Sequence, residues 1–413
     1  MTYTMLHGHF VIRYPDRPRQ GPEPDGDTVK FQPDTPGLVE GLPRPSGTPP
    51  DLSARGISVR LEAIDALETH FAETHQELAG ANAARDELLR LLGFTGVEFF
   101  ADLPNKVSAA DQDSVPGAVL SNGIDANGRM IGFLHRGTAT SANGATVFLD
   151  EGGVDATVNV QLLRAGLVYP AFYATLPGDL RTHLARISRT AREQGIGLWP
   201  RSTADPTGAA TVTGLADLQE LVLWPKLFRR LVPYLATGAP DLDGLDAWLR
   251  SDPVNRDDAL FLLNRLETGN LHDVIETDGR RIRLTCWPED FIIEPDPPQR
   301  GAPTMPKPAT GDVVIVAVLP DPVGADRGRE CVTLLNTTAA TVDLTGWSLR
   351  DRNGGVRRLD GVLEGGSVVQ VAAMNLGNRG GAVTLADALG SVIDRVEYKA
   401  GQVKEGRTVV FGR

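Results

Sequence analysis

Between residues 295 and 307 the chain carries five prolines in thirteen residues, within "PDPPQRGAPTMPKPATGD". Proline fixes φ and has no backbone N–H, so such a run fits neither a helix interior nor a central strand. Residues 297–311 read as an extended spacer. The spacer divides a 413-residue chain, itself longer than one ordinary core needs, and two or three domains are expected. Beyond it, "VVIVAVL", "CVTLLN", "GWSLRD", "SVVQVAA" and "RTVVFG" alternate with turn residues. That spacing predicts a β-sandwich over 312–413.

The part before the spacer changes character after Trp199-Pro200. Over 1–201, "HFVIRY", "TVKF", "ISVRLEAID", "GVEFFADL" and "RMIGFLHRG" read as strands. A stretch rich in proline and glycine, about 32–56, reads as an inserted loop. Apolar spacing predicts a helix over 71–92, interrupted near Gly80, and another over 178–194 that Gly195 stops. Asp155 is the expected N-cap of a helix in "VNVQLLRAGLV". These elements predict a small barrel with helices against it. Residues 202–296 read as a mainly helical middle region, with helices over 214–236, 243–250 and 256–267. Strands are expected there in "RRIRLTCW" and "DFIIEP". No motif gives this region a role.

The formal charge of −12 opposes indiscriminate binding to phosphate backbones. Any positive charge for nucleic acid must be local, and arginine supplies planar, two-pronged contacts to phosphate. Cys286 and Cys331 give neither a disulfide framework nor zinc spacing. Reduced thiols, with a start "MTYTMLHGHFVIRY" that lacks a secretory pattern, predict a cytoplasmic location. No apolar run approaches the ~20 residues of a membrane span.

Three segments carry candidate chemistry: "DGDT" at 25–28, "RLEAIDALE" at 60–68 and "DANGR" at 125–129. Turn chemistry accounts for Asp25-Gly26-Asp27, yet the same carboxylates offer hard oxygen ligands to a cation. Arg60 and Asp65 are five apart, which puts them on opposite faces of a flat strand. They share a site only if the chain bends between them. Otherwise Arg60 pairs with Glu62 on a solvated face. Gly128 permits a turn, and Arg129 begins a strand. His7 and His9 have strand spacing, but two histidines rarely suffice for a metal. His70 and His75 lack the spacing of a helical zinc pair. His183 is expected to be partly buried, and Trp224, Trp248 and Trp287 to anchor cores.

In order, these segments resemble the thermonuclease (staphylococcal-nuclease-like) family. Two further segments extend the likeness over residues 1–200: "VNVQLLRAGLV" resembles a family helix, and "HLARISRTAREQGIGLW" resembles its last helix. The resemblance implies a five-stranded OB-type barrel that hydrolyses DNA and RNA with Ca²⁺. By position, Asp27, Asp65 and the Ala66 backbone carbonyl would hold the metal. Glu68 would be the general base, and Arg60 and Arg129 would grip the scissile phosphate. Phe172 and Tyr173 would offer stacking to a base. Two carboxylates alone predict weak metal binding that substrate tightens. The chain departs from the family at Ala126 and Asn127, where a lysine and a tyrosine often stand, and at Phe172 and Ala174, near family tyrosines. Fewer phosphate contacts are therefore expected.

"RECVTLLNTTAATVDLTGWSLRDRNGG" and "GAVTLADALGSVIDRVEY" resemble a lamin-tail domain over about 312–413. That implies an immunoglobulin-like sandwich with Trp347 in its core and a targeting or binding role toward an unidentified ligand. The expectation is thus a multi-domain α+β protein: an OB-type barrel, a mainly helical middle region and a C-terminal sandwich. The leading function is a metal-dependent nuclease. The alternative is a non-catalytic module, on the same barrel, that binds nucleic acid or protein.

Overall fold

The computed structural model describes residues 2–253, 255–294, 312–324, 328–338, 341–352, 355–359, 361–372, 374, 376–387 and 392–411. The expected spacer lies outside them. The described residues up to 294 form one compact unit, and those from 312 onward form a second.

Five strands close the barrel of the first unit: β1 (Thr2–Val11), β2 (Thr28–Pro33), β3 (Ile57–Leu61), β4 (Ser114–Ile124) and β5 (Met130–Arg136). β1 pairs with β2, β2 with β3, β5 with β4, and β4 with β1, all antiparallel. The parallel β3–β5 pair completes the ring. Closure removes the sheet edges and fits the OB-type expectation. Tyr3, Phe10, Phe31 and Phe133 are buried in one core with Val59 and Met130. β4 has no counterpart among the strands read from the sequence, because Pro116, Gly117 and Gly123 break its pattern. Gly117 is there for space: a Cβ would lie 2.1 Å from the Phe10 ring.

Three helices flank the barrel: α1 (Leu78–Leu92), α2 (Val158–Arg164) and α3 (Gly178–Glu193). The helix expected from residue 71 begins at 78. Phe71 instead bridges Thr74, and Glu77 caps α1 by accepting the Gly80 N–H at 2.6 Å. The expected cap at Asp155 is also corrected. Asp155 ends a short helix, Glu151–Asp155, and Thr157 caps α2 by accepting from the Val160 N–H. The 32–56 insertion is more than a loop. It contains the helix Pro36–Glu40, and Val39 and Leu42 join the barrel core.

The middle region is mixed rather than mainly helical. Its helices are Leu215–Leu218, α4 (Pro225–Leu235) and Leu245–Arg250. The helix expected over 256–267 is a strand, Ala259–Leu262, paired with Phe291–Ile293 and Glu267–Asn270. Leu260 and Leu262 are buried at period two, so tertiary pairing overrides the helix formers around them. Trp224, Phe228 and Phe291 of this region share a core with Leu67, Ala81, Tyr169 and Trp199 of the barrel segment. Trp248 and Trp287 pack against that core, as expected of anchors.

The second unit has two four-stranded sheets. One runs Val368–Ala372, Cys331–Asn336, Val313–Leu319, Val409–Val410; the other runs Val356–Arg358, Ser348–Asp351, Gly380–Ala386, Val392–Lys399. All the pairings are antiparallel. Val332, Leu334, Leu349, Val383 and Leu385 alternate inward from both sheets, and Trp347 lies among them with 4% exposure. This is the sandwich that the strand spacing predicts.

Candidate functional site

Arg60 leaves β3 on the outside of the barrel, and Asp65 lies five residues on. Between them Ala63 takes φ of 71°, a left-handed conformation that is rare for a residue with a Cβ. This is the bend that the odd spacing requires. Asn159 on α2 holds it. Its amide donates to the carbonyls of Glu62 (2.9 Å) and Gly132 (3.1 Å), and its oxygen accepts the Leu134 N–H (3.0 Å). The Ala171 N–H donates to the Ala63 carbonyl at 3.0 Å, and Asp65 pairs with Tyr169. A strained position of this kind costs about 1–3 kcal/mol and persists where its surroundings over-determine it.

With the bend made, Arg60 reaches Asp65 at 2.6 Å and Asp27 at 2.7 Å. Asp27 stands just before β2. It also accepts the Ala66 N–H at 2.7 Å and the Thr28 hydroxyl at 3.1 Å. Gly26 lets this turn approach closely, since a Cβ there would lie 2.5 Å from that of Ala66 and 2.7 Å from that of Ala84. Asp25 accepts the Asp27 N–H at 3.0 Å. Asp27, Arg60 and Asp65 therefore belong to one largely buried charge cluster, with Ala66 beside them.

Arg229, on α4, enters the same cluster from the middle region. Its guanidinium bonds both oxygens of Asp65, at 2.8 Å on one and 3.2 Å on the other, and also pairs with Glu68. Burial pulls the Asp65 carboxyl upward, but Arg229 and Arg60 outweigh it and leave Asp65 below the usual carboxylate range. Burial raises Glu68 despite Arg229. Asp25 is raised well above its ordinary value by burial and by the charges of Asp27 and Glu68. The helix that carries Arg229 buries mainly apolar residues, with Lys226 among them. Lys226 and Arg230, three before and one after Arg229, pair with Asp258 at 2.5 Å and 2.8 Å. Sequence reading missed Arg229, and three cations within five residues of an apolar helix are the signal that marks it.

Arg60 also faces a cleft of about 130 Å³, lined with Arg129, Asp125, Asn127, Tyr173 and Pro45 among others. Arg129 stands two residues before Ile131, the strand partner of Arg60. Its Nε donates to Asp125 at 2.8 Å. Gly128 has φ of 77° in the turn, and the insertion docks there through the Asp51 N–H on the Gly128 carbonyl at 2.8 Å. The insertion thus borders the cleft. Tyr173 lines it and is partly exposed. Phe172 is not: it is fully buried in the barrel core, which corrects its expected stacking role.

Glu62 lies at the same cleft but turns its carboxyl inward, where burial pushes it up to about 7. Tyr3 and Asn122 neighbour it without a hydrogen bond of good geometry. The alternative Arg60–Glu62 pairing on a solvated face is not formed. His7 bonds to the Ser141 carbonyl and His9 faces Asp34, so they make no shared site. His183 is partly buried against Asp155 at 2.9 Å.

The oxygen donors are of the kind a hard cation takes, because Asp27, Asp65 and Glu68 set three acids against the guanidiniums of Arg60 and Arg229. In this arrangement guanidinium nitrogens engage both oxygens of Asp65. Among the described residues no group of three or more histidine, cysteine or acidic side chains is arranged to hold a metal ion. Also among the described residues, no helix is long and apolar enough to cross a membrane.

No curated protein matches the chain. Residues 306–400 match the family model of the lamin tail domain, the family that "VTLLN" and "DLTGWSLRD" resemble, so the second unit carries a lamin tail domain.

Proposed function

We propose that the first unit hydrolyses phosphodiester bonds of DNA or RNA with a divalent cation, calcium by family resemblance. The observation that carries this reading is the convergence on Arg60. One guanidinium touches both proposed metal carboxylates, at 2.7 and 2.6 Å, and lines the cleft that Arg129 also lines. Asp27, Asp65 and the Ala66 carbonyl would hold the ion, which when bound neutralises charge on the phosphoryl oxygens. Arg60 and Arg129 draw the anionic ester into the cleft and stabilise its charge through charge-assisted hydrogen bonds. Glu68 takes a proton from water, and its raised pKa brings its basicity toward neutrality. Tyr173 presents a ring to a nucleobase. The net charge of −12 repels nucleic acid, so affinity depends on these local cations. The lamin tail domain is assigned a targeting or binding role.

One observation favours a second reading. Arg229 occupies Asp65 and Glu68, which suits a module that binds phosphate without cutting. Digestion of single-stranded DNA and of RNA by the full chain, with and without Ca²⁺, separates the two. Cleavage that needs the ion and falls about 10²–10⁴-fold in Glu68→Gln is expected of the hydrolase. Retention of labelled DNA with no cleavage under Ca²⁺, Mg²⁺ or Mn²⁺ selects the binding module.

A further inference from the structure

The middle region contributes one side chain to the carboxylate cluster, and its placement is specific. Arg229 spans Asp65 and Glu68, the proposed ligand and the proposed base. Asp65 is 1% exposed at its side chain, and each of its oxygens accepts from Arg229. A divalent cation needs the lone pairs of those same oxygens, and it cannot share so short a distance with a guanidinium. We propose that Arg229 competes with the divalent cation for Asp65 and Glu68, so that α4 sets how tightly the chain binds metal. The proposal rests on the hydrolase reading for the identity of the ion.

Three features support competition over a fixed structural ion pair. Arg229 lies at the end of a long side chain, so it leaves the carboxylates by rotation about its own bonds while α4 keeps its place. α4 is independently anchored: Phe228 and Leu231 are fully buried, and Lys226 and Arg230 hold Asp258. The cluster also holds more acid than base. Asp27, Asp65 and Glu68 face two guanidiniums, and exchanging Arg229 for a doubly charged ion moves the site toward neutrality. By linkage, whatever draws Arg229 away must tighten the metal, and the metal must loosen Arg229 by the same factor.

Calorimetric titration of the full chain with CaCl₂ tests this. Arg229→Gln is expected to bind Ca²⁺ about tenfold or more tighter than the wild type, because the competitor is gone. Arg229→Lys keeps the charge but presents a single ammonium that does not span both acids, and it is expected to gain a few-fold. That variant serves if the glutamine substitution does not fold. Arg230→Gln removes the same charge from the neighbouring position, where the partner is Asp258. It is expected to leave Ca²⁺ affinity within about twofold of wild type, which separates competition from a general charge effect. Equal affinity in wild type and both Arg229 variants, an equal gain in Arg230→Gln, or no Ca²⁺ binding by any of them overturns the proposal. DNA cleavage is read in parallel. Cleavage by the wild type with unchanged affinity in Arg229→Gln removes the competition and leaves the hydrolase. Tighter Ca²⁺ in Arg229→Gln with no cleavage by any form removes the hydrolase and leaves the competition.

Discussion

In the first unit, Asp65 and Glu68 meet guanidinium groups; in the second, Asp394 and Glu330 meet backbone amides. Asp394 accepts the Ile315 N–H at 2.7 Å, beside the register shift that interrupts the Val313–Leu319 strand. Glu330 is 4% exposed and accepts the Leu376 N–H at 3.0 Å. An amide is fixed to the chain, so such a bond closes a bulge or loop and stays closed while the fold lasts. A guanidinium stands on a long side chain and can be exchanged for another cation. The same residue types thus mark architecture in one place and candidate chemistry in the other.

The comparison can be broken most severely in the sandwich. Trp347→Ala is expected to cost the second unit about 3–5 kcal/mol, because a large side chain leaves a cavity in a core made of apolar contacts. Chemical denaturation read by hydrogen exchange at the strand amides of Val332, Leu334 and Val383 measures it. A midpoint equal to wild type would mean that the apolar core is not what holds that unit.

Glu62 gives the next largest effect. Its carboxyl titrates at about 7 in the fold against 4.5 in the unfolded chain. The fold prefers the protonated form. The stability this contributes is therefore complete below about pH 4.5 and is lost as pH rises through 7. The span is on the order of 3 kcal/mol. Glu62→Gln is expected to remove that part of the slope in thermal melts between pH 4.5 and 8. An unchanged slope would show that the carboxyl is solvated.

Asn159→Ala tests the staple behind the bend. It leaves the Leu134 N–H and two carbonyls short of a partner and is expected to cost about 1–3 kcal/mol. The proposed cleavage should fall with it, since Arg60 and Asp65 are brought together by the strand segment that Asn159 holds. Full activity in this variant would show that the bend stands without it. The smallest effect is expected at Arg395, whose ion pair with Glu397 is exposed. Arg395→Ala should change stability by less than about 1 kcal/mol. A larger loss would mean that this exposed pair is held more rigidly than its exposure indicates.

What the sequence revealed follows from how local each cause is. The sandwich was legible because alternation and turn residues act within one strand at a time. The carboxylates and arginines were legible as an ordered set, and their need for a bend was stated by parity alone. Gly26 was read for turn geometry, whereas its reason is the closeness of Ala66 and Ala84, which only packing supplies. The segment around Ala259–Leu262 contains good helix formers, and long-range pairing with Phe291–Ile293 overrules them. Phe172 looked like a stacking surface because tyrosine and phenylalanine are alike in sequence, yet its neighbour Tyr173 is the one facing the cleft. Arg229 lies more than 150 positions from its partners, a separation that no local pattern spans.

Ala63 has a consequence for anyone hunting similar sites in other genomes. A search string built from arginine, aspartate and glutamate letters describes the tools but omits the joint that folds them toward each other. Requiring a compact residue three places after the arginine, together with an asparagine able to clamp the joint, would distinguish chains that assemble the constellation from chains that merely spell it.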